Sequence, residues 1–520
     1  MHFDPHSPLA PHPSKLNRRQ LLAGLASGAA LVGAGGTAGC VATNAASGRD
    51  SFTGFQSIKD DIAEGQANHP KILKAFGGAY EHARLNKYVA GIGNALAQHA
   101  EYQQYPYRFT ILNTPIVNAL ALPGGYIYVT RGLLALASSE AELAGVLSHE
   151  LAHVTARHGA ESRGAQQVAQ IGLLLGAIGL SAAGLPSGLM QLGQTAALAA
   201  IKGYSREHEL EADTLGIRYM SRAGYDPDAM VSFLASLRAH SKVEAQLQGL
   251  PAGEVDEFNI MATHPRTVER VRQAQKLAAT TKRHAEKGGR TKSGRRWGKD
   301  KYLTQIDGMM FGDDPRQGLI QGRRFVHPGL RFEFRAPKDF ILRNSAKRVT
   351  GQHASGAAIV FDMSAVMRRG PAADYLEFGW AANTRLHDME RLTIDGQDAA
   401  TAWAEGQNQS GPRHIRALVI RRADGRFYRF MYIAPLAQAG RWEGPFRRSG
   451  LSFRQLDAQS AARIRAQRLL VVTARPDDTV ARLAKTLPFG RFNEAWFRVL
   501  NDLGPHQAIN AKQRLKVIAN

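Results

Sequence analysis

The segment Ala141–Arg157 holds two histidines four residues apart in a strongly apolar stretch, and it constrains the chain more than any other feature. Its apolar residues recur at the spacing of a helix. His149 and His153 then share one helix face, with Cβ atoms about 5–6 Å apart, and two such imidazoles can bind one Zn²⁺. The alternative is a helix with two surface histidines and a solvated glutamate. It is disfavoured because buried His and Glu side chains in an apolar helix need a partner.

Glu150 follows the first histidine directly, so it projects beside the metal rather than onto it. There it can accept a proton from the attacking water and deliver that proton to a leaving amine. Zinc also needs a third protein ligand. The only cysteine in the chain is Cys40, which excludes a cysteine-built site and intrachain disulfides.

The segment from Gly203 to Asp213 is rich in carboxylates and continues into a helical pattern. Helical spacing places Glu209 and Asp213 one turn apart on one face. One of them can bind the metal, while the other can accept an N–H from a ligand histidine and fix its tautomer.

Taken in order, Ser148–Val154 and Tyr204–Asp213 resemble the zinc peptidase family of the CAAX prenyl protease and HtpX, especially its exported, soluble BepA-like branch. The resemblance covers about Lys59 to Lys276. It implies a mostly α-helical gluzincin-type metalloprotease domain with a small edge β-sheet. It further implies Zn²⁺ as cofactor and the following roles: metal ligands His149, His153 and Glu209, catalytic Glu150, and Asp213 as the supporting acid. Glu207 and Glu211 fall outside the family register and are predicted to lie at the surface.

Two further segments resemble parts of the same family. The segment Asn118–Val129 is similar to its edge strand, which implies that Asn118, Ala119, Leu120 and Ala121 hold an extended substrate by β-augmentation; the alternative is a core hairpin. His264-Pro265 resembles a segment whose histidine, in some exported relatives, occupies the open zinc position and keeps the enzyme latent. His264 is therefore a predicted regulatory ligand, or else a capping or surface histidine. Arg270 either stabilises an oxyanion or binds a carboxylate structurally.

Residues 1–40 predict an export signal. Basic residues precede a short apolar run that ends at a lipobox-like Ala38-Gly39-Cys40. We therefore expect a periplasmic protein held by a lipid anchor on Cys40, with the outer membrane preferred. Residues 41–58 are rich in small residues and predict a tether.

The remainder predicts a multidomain α+β chain. Residues 59–276 form the metallopeptidase domain, residues 277–301 a basic linker and residues 302–457 an α+β domain of unknown role. That α+β domain contains one helix at Ala372–Arg385 and four strand-like segments: Leu330–Phe334, Ala357–Phe361, Ala417–Arg421 and Phe427–Ile433. Residues 465–520 have a β-α-α-β order that resembles a LysM module, which implies binding to peptidoglycan.

The net charge of +22 favours polyanionic surroundings such as acidic lipids or cell-wall polymer. Nucleic acid is not an expected partner, because no zinc finger, RRM-like pattern or helix-turn-helix is found. The sequence predicts a zinc endopeptidase that acts on unfolded or misassembled envelope proteins. The alternative is a chaperone-like or cell-wall-associated binding factor with latent or no proteolysis.

Overall fold

A computed structural model of the chain describes residues 42–51, 57–162, 204–247, 264, 267–287, 295–365, 367–408 and 410–519. The predicted export signal at 1–40, including Cys40, lies outside the described residues. Within those residues, no helix has both the length and the apolar character needed to cross a membrane.

The first part of the chain is mainly helical and surrounds a three-stranded sheet. Its elements are β1 (Ala42–Thr43), β2 (Asp50–Ser51), α1 (Ile58–Ala75), α2 (Ala83–Ala97), β3 (Arg108–Leu112), β4 (Ala119–Leu122), β5 (Tyr126–Thr130), α3 (Arg131–Leu136), α4 (Glu140–Thr155), α5 (His158–Ser162), α6 (Arg206–Arg222), α7 (Asp228–Leu247) and α8 (Thr267–Lys287). The strand order is β3-β5-β4, with β5 parallel to β3 and antiparallel to β4. Strand β4 therefore lies at an edge of the sheet, where the sequence places Ala119–Ala121.

The segment predicted as a tether is ordered over 42–51, where β1 and β2 form a hairpin. Asn44 Nδ2 donates a hydrogen bond of 2.7 Å to the carbonyl of Ala156, just beyond α4. Arg49 forms ion pairs with Glu161 and Glu211. These contacts attach the hairpin to the C-terminal end of α4, so the segment differs from a solvated spacer.

The segment predicted as a basic linker is also partly structured, because α8 continues to Lys287. After residues 288–294, which the structure does not describe, Arg296 lies over the ring of Tyr225 at 4.2 Å. The amide of Ala141 then donates to the carbonyl of Trp297 at 3.0 Å. The chain thus contacts the first turn of α4 before α9 (Lys299–Ile306) begins.

The middle of the chain is dominated by antiparallel strands. Its elements are β6 (Met310–Phe311), β7 (Leu319–Gln321), β8 (Arg324–His327), β9 (Phe332–Arg335), β10 (Ile341–Asn344), β11 (Arg348–Gln352), β12 (Ala358–Met363), α10 (Ala372–Tyr375), β13 (His387–Ile394), β14 (Gln397–Asn408), β15 (Gly411–Arg421), β16 (Phe427–Pro435), α11 (Ala439–Leu451), β17 (Arg454–Gln455) and α12 (Ala458–Arg463). Seven strands pair in the order β10-β11-β12-β16-β15-β14-β13, and four pair in the order β17-β9-β8-β7.

Both faces of the seven-stranded sheet are buried, so side chains along β15 alternate between two cores. Ile415 and Val419 pack on the face covered by α10, whereas Leu418 and Ile420 pack on the face covered by α11. The four predicted strands of this region lie within or overlap observed strands. The helix predicted over Ala372–Arg385 is shorter: α10 passes into one π-helical turn that ends at Trp380, which packs into the core of the sheet.

The C-terminal region consists of β18 (Gln467–Thr473), α13 (Val480–Ala484), α14 (Asn493–Leu500) and β19 (Arg514–Ala519), the predicted β-α-α-β order. Strands β18 and β19 pair, and β6 extends the sheet, so residues around Met310 belong with this region rather than with the middle domain. Its apolar residues share one core with the helical region. Lys516, 1% exposed, donates to the carbonyls of Ala135, Leu136 and Ala137 at 2.8–3.0 Å. This C-terminal region is therefore not a separately packed module.

Candidate metal centre

Helix α4 carries the two histidines and is buried along its whole length. Its first turn is stabilised by Ser139, whose side chain accepts from the amide of Glu142 at 3.1 Å, a standard N-cap. Acidic residues in that turn complement the helix dipole. Helix α6 crosses α4 closely at Gly216, where an added Cβ would lie 3.1 Å from the amide nitrogen of His149. The glycine therefore allows α6 to bring its carboxylates to the histidines.

The predicted ligands converge as the spacing of both helices requires. His149 Nε2 lies 3.1 Å from His153 Nε2. Glu209 Oε2 lies 3.5 Å from His149 Nε2, and Glu209 Oε1 lies 3.5 Å from His153 Nε2. Bonds of 2.0–2.1 Å in a tetrahedral zinc site place the ligand atoms about 3.3–3.4 Å from one another. The donor atoms and their spacing therefore fit Zn²⁺.

His264 completes a group of four buried side chains whose ligand atoms lie within 4.8 Å of one another. Its Nδ1 lies 3.4 Å from His149 Nε2 and 2.8 Å from Glu209 Oε1. The structure thus places the predicted regulatory histidine within the group of possible ligands. The surface or capping alternative does not describe its position, because only 8% of the residue is exposed.

Glu150 lies beside this group with 2% of its surface exposed. Its Oε1 is 3.4 Å from His264 Nε2, and its Oε2 has no hydrogen-bond partner among the described residues. Burial raises the pKa of this carboxyl group. A carboxylate whose basicity is raised by desolvation suits a general base.

Asp213 and Arg270 fix the orientation of the ligands from α6 and α8. Asp213 Oδ1 lies 2.9 Å from His149 Nδ1, the nitrogen that faces away from the ligand group. Arg270 donates to both oxygens of Asp213 at 2.7 and 2.8 Å, and it lies 3.0 Å from Glu209 Oε2. Although burial opposes ionisation, His264 and Arg270 hold the pKa of Glu209 well below its usual range. Of its two predicted roles, Arg270 has the structural one.

His153 is held by residues that the sequence analysis missed. Its Nδ1 lies 2.8 Å from His158 Nδ1, and His158 Nε2 lies 3.3 Å from Glu211 Oε2. The ring of Tyr204 stacks on His153 with 3.9 Å between centroids. The surface prediction holds for Glu207, which is exposed, but it is wrong for Glu211, whose side chain is only 11% exposed.

Glu211 is covered because α5 and the β1–β2 hairpin pack over the face of α6 that the helical register assigns to solvent. Arg49 of the hairpin lies 2.9 Å from Glu211 Oε2. His158 gave one sequence signal, a third histidine five residues after His153. That spacing alone does not say which way its ring points.

The predicted edge strand borders the site. Val117, Asn118 and Ala119 line a small apolar cleft together with Glu150 and His264. Asn118 precedes β4, and its backbone bonds to Thr130 at the end of β5. Leu120 and Ala121 lie in β4 itself. The four predicted residues thus form one continuous edge that begins at the cleft.

Comparison with known proteins agrees with this geometry. Residues 83–278 match the model of Peptidase family M48. A putative beta-barrel assembly-enhancing protease of Vibrio cholerae is 37% identical over 159 residues, 29% of this chain and 33% of that protein. The beta-barrel assembly-enhancing protease of Escherichia coli K12 is 30% identical over 37% of this chain and 39% of that protein. Mitochondrial metalloendopeptidase OMA1 of Schizosaccharomyces pombe is 30% identical over 36% of this chain and 51% of that protein.

The chain thus spans about a third to a half of the length of these curated relatives. The matched residues contain every member of the ligand group, together with Glu150, Asp213 and Arg270. Residues 83–278, which carry the metal centre, are therefore similar to Peptidase family M48, and the relatives that they resemble include beta-barrel assembly-enhancing proteases.

Proposed function

We propose that the chain is a zinc-dependent endopeptidase of the bacterial cell envelope, acting on misfolded or misassembled envelope proteins. The observation that carries this proposal is the convergence of His149, His153 and Glu209 beside the buried carboxylate of Glu150. One oxygen of that carboxylate has no hydrogen-bond partner in the part of the chain that the structure describes. The names of the relatives support it, since they describe a protease that enhances β-barrel assembly and a metalloendopeptidase.

Zn²⁺ bound to these ligands would polarise the scissile carbonyl and lower the pKa of a water molecule. Glu150 accepts the proton as that water attacks, and then gives it to the departing amide nitrogen. Asp213 keeps Nδ1 of His149 occupied, and His158 does the same for His153, so both Nε2 atoms remain directed at the ligand group. Strand β4 would hold the substrate backbone in an extended conformation.

The envelope setting extends this proposal to the rest of the chain. We assign export and lipid attachment to the N-terminal signal and Cys40, with the outer membrane as the site of anchoring. We assign binding of peptidoglycan to the LysM-like region at 465–520. Together they would hold the peptidase between the membrane and the cell wall, where a net charge of +22 suits anionic surroundings.

The test is the zinc content and casein cleavage of the full chain, compared with Glu150→Gln and with Glu207→Gln. Glu207 is an exposed carboxylate on α6, so its variant is a matched control. We expect one zinc per chain in all three proteins. We also expect cleavage to fall about 10²–10⁴-fold in Glu150→Gln only, the usual contribution of a general base.

The second function, a binding factor with latent or no proteolysis, is favoured by one observation: His264 lies within the ligand group, 3.4 Å from His149 Nε2 and 2.8 Å from Glu209 Oε1. A zinc-loaded wild type that binds unfolded protein without cleaving it would support this function. Loss of that binding in Glu150→Gln would contradict it, because a holding function does not need a general base.

A further inference from the structure

A large cavity lies where the helical region, the seven-stranded sheet domain and the C-terminal region meet. Its volume is about 940 Å³, near the upper end of the range for ligand-binding sites, which occur preferentially at domain interfaces. Most of its lining is apolar, with side chains from all three regions: Ile116, Leu247, Ile320, Leu342, Phe489 and Trp496.

Two buried polar side chains in the wall of this cavity have atoms without partners among the described residues. Arg131 is 1% exposed; its Nε donates to Asn113 Oδ1 at 2.7 Å and its Nη1 to the carbonyl of Met310 at 2.9 Å, but its Nη2 has no partner. His240 is 4% exposed, and its Nδ1 is likewise unpartnered. Buried donors and acceptors are rarely left unpaired in native proteins. The wall of the cavity thus contains two buried polar atoms that the described residues leave unpaired.

The charges around the cavity favour an anion. Among the described residues, five arginines line it against two acidic residues, and one of those acids, Glu244, is paired with Arg343 at 3.0 Å. Burial raises the pKa of the other, Asp313, to about 6, so this carboxyl group stays mostly ionised at neutral pH and is still outnumbered by the arginines. Burial also lowers the pKa of His240 to about 4, so His240 is neutral and adds no charge. A carboxylate would meet an excess of positive charge.

The cavity shares part of its wall with the cleft beside the metal centre. Val117 and Asn118 line both this cavity and the smaller cleft that contains Glu150 and His264. Asn118 also leads directly into the edge strand β4. An extended chain leaving the cavity would therefore follow β4 towards Glu150. This shared wall favours a polypeptide over a compact small molecule as the occupant.

We propose that this cavity binds an unfolded, apolar polypeptide segment that carries a carboxylate, and that the segment leads the substrate to strand β4. The proposal deepens the function proposed above and rests on it for the fate of the bound chain, although binding itself requires no catalysis.

The experiment measures binding of a fluorescein-labelled, unstructured peptide to the zinc-loaded full chain with Glu150→Gln, by fluorescence anisotropy. The peptide is rich in Leu and Phe and has one glutamate; its partner peptide has glutamine instead. In one variant, the exposed rim arginines Arg323 and Arg465 are both changed to glutamate. The matched control changes Arg222 and Arg272, which are exposed and do not line the cavity, in the same way.

We expect the glutamate peptide to bind at least about ten-fold more tightly than its glutamine partner, the worth of one hydrogen bond to a charged group. We expect a similar loss in the rim variant and an unchanged affinity in the control. Arg131→Met should abolish the preference for glutamate, and Arg131→Lys should keep part of it. Thermal unfolding of each variant shows whether it is folded.

Equal binding by the rim and control variants would overturn the proposal, as would binding of dodecanoate in the absence of peptide binding, which would assign the cavity to a lipid chain. Peptide binding in a protein whose wild type cleaves nothing would refute the peptidase function and leave the cavity assignment standing. Cleavage by wild type without any preference for the glutamate peptide would refute the cavity assignment and leave the peptidase function standing.

Discussion

Removing the imidazole of His264 should make the enzyme bind zinc more weakly and cleave faster. His264 Nδ1 lies 3.4 Å from His149 Nε2 and 2.8 Å from Glu209 Oε1, so its ring fills the vertex that a catalytic zinc site keeps open. While the ring stays there, the substrate carbonyl has no place at the metal. The His264→Ala variant vacates that vertex permanently.

The size of the effect follows from the interaction that the His264 ring loses when it leaves the ligand group, its hydrogen bond to the carboxylate of Glu209. A hydrogen bond to a charged group contributes about 1.5–3 kcal/mol, and about 1.4 kcal/mol corresponds to a factor of ten. The competent fraction of wild type is then smaller by about 10- to 100-fold, and its apparent activity falls by the same factor. We therefore expect kcat/KM to rise about 10- to 100-fold in His264→Ala, while zinc affinity falls by a similar factor.

The assay combines cleavage of fluorescein-labelled casein at saturating zinc with competition against a chromophoric zinc chelator. His506→Ala, which changes an exposed histidine far along the chain, is the control and should alter neither quantity. The prediction is specific because cleavage should rise in His264→Ala while zinc affinity falls. If cleavage falls together with zinc affinity, His264 supports the working site and the latency argument is refuted.

Three further changes test the surroundings of the site. His158→Ala should lower zinc affinity about 10- to 100-fold by freeing the ring of His153, which chelator competition would measure; unchanged affinity would contradict the role given to His158. Gly216→Ala should destabilise the fold by about 1–3 kcal/mol and weaken zinc binding, because its Cβ would meet the backbone of His149 at 3.1 Å; urea unfolding with and without zinc measures both, and a neutral result would refute the close crossing. Burial lowers the pKa of Lys516 to about 7, so between that pH and about 10.4 the unfolded chain binds more protons than the folded one, and the free energy of unfolding should rise with pH. In Lys516→Met that rise should disappear, and a slope that persists would assign it to another group.

Much of the metal centre could be predicted from the sequence, because its members are linked by local helical geometry. His149 and His153 are one turn apart on α4, and Glu209 and Asp213 are one turn apart on α6. A helix places residues four apart on the same face whatever surrounds it. The strands of the middle region were predicted for a similar reason, since their apolar stretches are buried on both faces of the sheet.

The tertiary structure decided which helix faces contact each other and which residues cover the opposite faces of these helices. Glu211 lies off the register of Glu209, yet its side chain is largely covered because the β1–β2 hairpin and His158 pack over it. The C-terminal region shares the core of the helical region through contacts such as that of Lys516 with the end of α3. Tertiary packing also brings His264 to His149 and forms the cavity between the three regions. Both features join residues more than a hundred positions apart. The periodicity within one helix or strand does not encode how separate elements pack.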